Sequence, residues 1–121
     1  MVVTDKTLQR VHAMTFSSVY PMYIQKAEKK GRTKDEVDEI IFWLTGYNKS
    51  GLKSAISKEL TFTEFFKKAP KFNPNAKKIT GVICGYRVED IKDDIYQKMR
   101  YLDKLIDELA SGKKMESILR Q

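Results

Sequence analysis

Cys84 and His12 are the only thiol and the only imidazole in the chain. A thiol attacks as its thiolate, which needs a base or a positive field beside it. In a helix Arg87 would lie one turn from Cys84, and His12 could approach only through the fold. The preferred reading of Cys84 is a small buried hydrophobe. His12 follows Leu8 and Val11 in LQRVHAMTF and reads as a structural histidine on or near a helix surface. One cysteine allows no internal disulfide, and one Cys with one His is poor material for a transition-metal site.

A second group of chemically able residues surrounds ITGVICGYRVEDI, residues 79–91. Arg87 and Arg100 could clamp an anionic ligand through their planar forks. Tyr86, Glu89, Asp90 and Asp103 would complete such a site. Ion pairing of the two arginines with neighbouring acids is the preferred alternative. The pairs Glu89-Asp90 and Asp93-Asp94 could take a divalent cation or act as acid and base. They read more simply as negative charge at the start of the longest helix. Gly81 and Gly85 lack both the Lys-Ser/Thr ending of a phosphate loop and the third glycine of a dinucleotide fingerprint. Nothing here asks for a metal or a cofactor.

Charge raises the question of nucleic acid. The formal net charge is +7, from 23 basic and 16 acidic residues. Only five of the basic residues are Arg, the side chain that best reads phosphates and bases. The excess is spread along the chain. Lys26, Lys29, Lys30, Arg32 and Lys34 form one patch of phosphate-contact candidates. Lys67, Lys68, Lys71, Lys77 and Lys78 form another. Nucleic-acid binding therefore stands as an alternative whose test is whether carboxylates interleave the patches. FWLTGYNKSG, residues 42–51, is a weak helix-turn-helix signal, because no Arg, Asn or Gln follows to read base edges.

The elements that must position these residues read as helices. Ser17 or Ser18 can cap a helix running to about Lys30, with Pro21 in its first turn and Gly31 at its end. Thr33 with Glu36, and Thr61 with Glu64, have the spacing of capping boxes. Gly46 stops the helix that Thr33 caps. Asn73-Pro74 opens another, and the preferred reading of 79–86 is helix, since no hairpin signal stands out and a lone strand would lack a partner. Asp93 or Asp94 starts the longest helix. Its Ile95, Met99, Leu102, Ile106 and Leu109 run as a heptad seam.

The expected fold is all-α: a single compact domain, residues 1–121, of six or seven helices with short connections, with residues 1–5 poorly ordered. Its core would draw on Tyr23, Ile24, Val37, Ile40, Ile41, Leu44, Ile56, Phe62, Phe65, Phe66, Ile79, Ile83, Leu102, Ile106 and Leu109. No apolar run approaches the roughly 20 residues of a membrane span, and the expected location is the cytoplasm. The lead functional reading is a non-enzymatic interaction module, a homodimer or a binder of a protein partner. The long-helix seam and the aromatics Trp43, Tyr47 and Tyr101 would form the interface.

The segments VYPMYIQKAEKKGRTKDEVDEIIFWLTGY, FNPNAKKITGVICGYRVEDI and RYLDKLIDELASGKKMESILR together resemble the domain-of-unknown-function 2200 family of small uncharacterised bacterial proteins. The resemblance runs from about Val11 to Arg120. It implies a bacterial, cytoplasmic, single-domain protein. It carries over no activity and no catalytic residues.

Overall fold

Both threonine caps form as their spacing dictates. The Thr33 hydroxyl accepts from the Glu36 N–H at 3.2 Å, and the Glu36 carboxylate accepts from the Thr33 N–H at 2.9 Å. Thr61 and Glu64 repeat the exchange at 3.1 and 3.0 Å. Each box satisfies N–H groups that have no partner within their own helix.

In a computed structural model, which describes residues 4–121, the helices are α1 (Asp5–Ala13), α2 (Phe16–Glu28), α3 (Lys34–Thr45), α4 (Lys49–Ser57), α5 (Phe62–Lys67), α6 (Asp94–Ala110) and α7 (Met115–Ile118). The expectation of poor order at residues 1–5 lies, for the first three, outside the described residues. Thr4 caps α1, which starts at Asp5. Helix α2 begins earlier than expected, with Thr15 at its N-cap, so Pro21 falls inside the helix rather than in its first turn.

Helix α6 is the axis. Helices α1, α2, α3, α5 and α7 all pack against it. Its seam is therefore not a free face: Leu102 and Leu109 are fully buried, and Ile95, Met99 and Ile106 are nearly so. This corrects the expectation that the seam faces a partner. An aromatic cluster fills the other half of the core. Phe16 stacks on Phe65 with ring centroids 4.0 Å apart, and Tyr47 stacks on the same ring at 4.8 Å. Of the expected core residues, only Ile24 and Ile56 are partly exposed.

The end of α3 shows how chain crossings satisfy helix termini. The N–H groups of Lys71 and Asn73 donate to the Thr45 and Leu44 carbonyls at 3.1 and 2.9 Å. Gly46 adopts a left-handed φ of 80°, and a Cβ there would lie 2.6 Å from the Lys71 nitrogen. Only glycine permits both the turn and this approach.

Residues 79–86 are not a helix. Val82–Ile83 (β1) pairs antiparallel with Tyr86–Arg87 (β2), Val82 opposite Arg87 and Ile83 opposite Tyr86. The strand thus finds its partner in its own continuation. Cys84 and Gly85 form the two-residue turn with φ of 51° and 84°. Two positive φ values give the twist that joins antiparallel strands tightly, and they exclude a right-handed helix. Gly81, at φ 110°, bends the chain into β1. The 3-10 turn Pro74–Lys78, capped by Asn73 as expected, ends before this segment.

Candidate functional site

Tyr96, Arg100 and Asp103 follow at spacings of four and three on α6, so they share one face. Arg100 Nη1 donates to Asp103 Oδ2 at 2.7 Å, and its Nη2 lies 3.2 Å from the Tyr96 hydroxyl. The guanidinium also stands 5.1 Å from the centroid of the Tyr96 ring. From α2, the Tyr23 hydroxyl donates to the second oxygen of Asp103 at 2.7 Å. Asp103 is therefore shared by a cation and a phenol.

Burial opposes the Arg100 charge, but Tyr96 and Asp103 more than offset it and raise its pKa above the ordinary value. Burial, reinforced by Asp103, pushes the Tyr23 hydroxyl well above its usual range, so it remains a neutral donor. Arg100 Nε is buried with no hydrogen-bond partner among the described residues.

The hairpin lies over this row. Arg100 Nη1 approaches Cys84 Sγ at 3.5 Å, and Lys104 Nζ donates to the Val82 carbonyl at 3.3 Å. Tyr86 meets the Tyr96 ring edge-on at 6.1 Å. Glu89 accepts from the Gly81 N–H at 3.0 Å and pairs with Arg87 at 3.4 Å. Those backbone and arginine contacts hold the Glu89 carboxyl below its usual range, the backbone N–H groups contributing most.

The fold thus gathers Tyr86, Arg87, Glu89, Arg100 and Asp103 around one hairpin. Asp90 is exposed in the 3-10 turn Val88–Asp90 and forms no ion pair among the described residues. Each arginine already has its own carboxylate, the arrangement that the sequence favoured over an anion clamp.

Cys84 corrects the expectation of a buried hydrophobe: it is exposed at the turn. The turn geometry requires a position outside the core, which hydrophobicity alone does not register. His12 does not reach it. The imidazole lies 2.7 Å from Asp93, the N-cap residue of α6. Asp93 and Arg100 are seven residues apart, about 10 Å along the helix, so Cys84 has an arginine beside it rather than a base.

The interface aromatics are also corrected. Tyr47 is buried and donates its hydroxyl to the Phe65 carbonyl at 2.6 Å. Tyr101 is buried in the core, and Trp43 is half-buried against it. Among the described residues, the exposed large hydrophobics are instead Met22 and Val82. Met22 precedes Tyr23, bonded to Asp103, and the Val82 carbonyl is bonded to Lys104. Met22 and Val82 thus lie on two segments, α2 and the hairpin, that are each tied to α6 at Asp103 and Lys104. Met22 lies outside the apolar stripe of α2, which was the available signal.

Carboxylates interleave the first lysine patch. Lys26 pairs with Asp107 at 3.0 Å and Lys34 with Asp38 at 2.8 Å. Arg32 holds Glu36 at 2.8 Å and donates to the Leu109 and Lys113 carbonyls near the end of α6. Lys29 and Lys30 remain exposed, as do Lys67, Lys68, Lys71, Lys77 and Lys78. No helix among the described residues is long and apolar enough to cross a membrane.

Among the described residues, seven helices, five of them packed against α6, and one short hairpin define a small, mostly helical domain. The family model for the uncharacterized protein conserved in bacteria (DUF2200) matches residues 10–120, and the chain belongs to that family. Its fold is similar to the crystal structure of the uncharacterized protein SP1917, with a TM-score of 0.85 and 40% sequence identity over 92% of this chain and 91% of that one. Among curated proteins, no relative matches the chain.

Proposed function

We propose that the protein is a non-enzymatic interaction module that pairs with a second copy of itself through the hairpin face. The observation carrying this reading is that Met22 and Val82, the exposed large hydrophobics among the described residues, lie on α2 and the hairpin, the two segments tied to α6 at Asp103 and Lys104. An exposed apolar side chain on each of two neighbouring elements gives a second copy apolar area to cover.

The surrounding charges favour a like partner. Lys26 with Asp107, Arg87 with Glu89, and Arg100 with Asp103 set both signs side by side. A two-fold contact brings each patch against its own copy, so it needs both signs within one patch. The hairpin also has only two strands, which leaves backbone donors and acceptors on its edges. The apolar area is small, and the pairing is accordingly weak and reversible.

An NMR dilution series on the full chain tests this. Amide shifts of Met22, Val82–Arg87 and Arg100–Lys104 are expected to move together with concentration. Shifts independent of concentration, or movement confined to other residues, would refute the pairing.

A further inference from the structure

A cavity of about 300 Å³ opens between α2, α3 and α4, and no hairpin residue lines it. Tyr20, Leu52 and Ile56 give it an apolar wall, and Lys34, Lys49 and Lys53 bring three ammonium groups to it. Asp38 is the only carboxylate in its lining, and both oxygens of Asp38 are in use. The Tyr20 hydroxyl donates to one, and Lys34 Nζ holds the other at 2.8 Å.

Lys49 and Lys53 are different. Neither forms an ion pair among the described residues, whereas Lys34 in the same lining is held by Asp38. They stand one turn apart on α4, where like charges repel. Lys49 also lies in the first turn of α4, which has no acidic residue and where the helix dipole disfavours a cation. Both ammonium groups are exposed and solvated, so their repulsion is mild, and an anion seated between them relieves it while meeting the helix N-terminus.

We propose that this cavity binds a small organic anion: one carboxylate or phosphate group on a compact apolar body. The anionic group sits between Lys49 and Lys53, and the body lies against Tyr20, Leu52 and Ile56. The volume is at the small end of the range of about 300–1,000 Å³ typical of ligand pockets, which suits a small molecule. This site is independent of the hairpin face and stands whether or not the chain self-associates.

The test is an amide-shift titration of the full chain at low salt with octanoate, octyl phosphate, octanol and inorganic phosphate. Octanoate or octyl phosphate is expected to shift Tyr20 and residues 49–57 in a saturable way. The tighter of the two identifies the preferred anionic group. Octanol and phosphate alone are expected to bind roughly tenfold more weakly or worse, because each lacks one half of the interaction.

A K49Q/K53Q variant removes only exposed charges, and its amide dispersion verifies that it folds. It is expected to bind octanoate or octyl phosphate roughly tenfold more weakly. No saturable shift with either amphiphile, saturation mapped elsewhere, equal binding of octanol, or undiminished binding by K49Q/K53Q would each overturn the proposal.

Discussion

Tyr23 and Asp103 are 80 positions apart in sequence and 2.7 Å apart in space, the phenol of α2 donating to the carboxylate of α6. Arg100 occupies the second oxygen of the same carboxylate. One acid therefore joins two helices and compensates a largely buried cation. Asp103→Ala strands both partners. Breaking such a buried pair costs about 3–5 kcal/mol, and a urea melt is expected to show a loss of that order. Tyr23→Phe removes only one neutral donor and is expected to cost about 1 kcal/mol. Equal losses in the two variants would show that Arg100 does not depend on Asp103.

The hairpin turn gives a prediction of opposite sign. Cys84 is a non-glycine residue held at φ 51°, where asparagine and glycine are more at ease. Cys84→Asn is expected to stabilise the fold by about 0.5–1 kcal/mol in the same melt. Gly85→Ala is expected to destabilise it by about 1–2 kcal/mol. Since Cys84 is exposed, a thiol-reactive dye should label the native protein as fast as the urea-unfolded chain, within a few-fold. Labelling that waits for unfolding would contradict the placement of the turn.

At the end of α3, Gly46→Ala meets the Lys71 backbone at 2.6 Å while its φ remains positive. Strain and steric overlap act together, so a loss of about 2 kcal/mol or more is expected. Gly31 also has positive φ, but nothing lies within 4 Å of its Cβ position. Gly31→Ala should therefore cost less, about 1 kcal/mol. Reversal of that order in thermal unfolding would argue against the crossing of residues 71–73 over the helix end.

Acid should weaken the fold through its caps. The Arg32 hydrogen bond, with help from the Thr33 N–H, lowers the pKa of Glu36. At Asp93, burial is the largest single influence and pushes upward, but His12 and the Tyr96 N–H together outweigh it and leave the pKa lowered. A carboxyl depressed in the folded state stabilises above its unfolded pKa, near pH 4 for these groups (about 3.9 and 4.3). That stability is lost as pH falls through the lower folded value. Urea midpoints are expected to hold above about pH 5 and to fall progressively below pH 4, with a shallower fall in Asp93→Asn. An unchanged slope in that variant would exclude Asp93 as a source of the acid sensitivity.

Where structure follows from neighbours a few residues apart, the sequence was readable. The capping boxes of Thr33 and Thr61, the helix stop at Gly46 and the Asp93 cap of α6 each depend on local spacing. The hairpin was missed because Cys-Gly is an uncommon form of a two-residue turn, although the β-rich flanks Val82-Ile83 and Tyr86-Arg87 were present. The α6 seam was legible as apolar, but not its coverage, because five other helices supply that. For the site, Arg100 and Asp103 were both legible as candidates, though not as each other's partners. Tyr23 and the approach of Cys84 arise only when distant segments meet.

The central claim is that the hairpin face pairs two copies of the chain, and sedimentation velocity across a concentration series tests it most directly. The wild-type protein is expected to shift from monomer toward dimer in the high-micromolar range. A variant carrying M22K and V82K, both at exposed positions, is expected to remain monomeric. A wild-type protein that stays monomeric throughout, or a variant that dimerises equally well, would contradict the account.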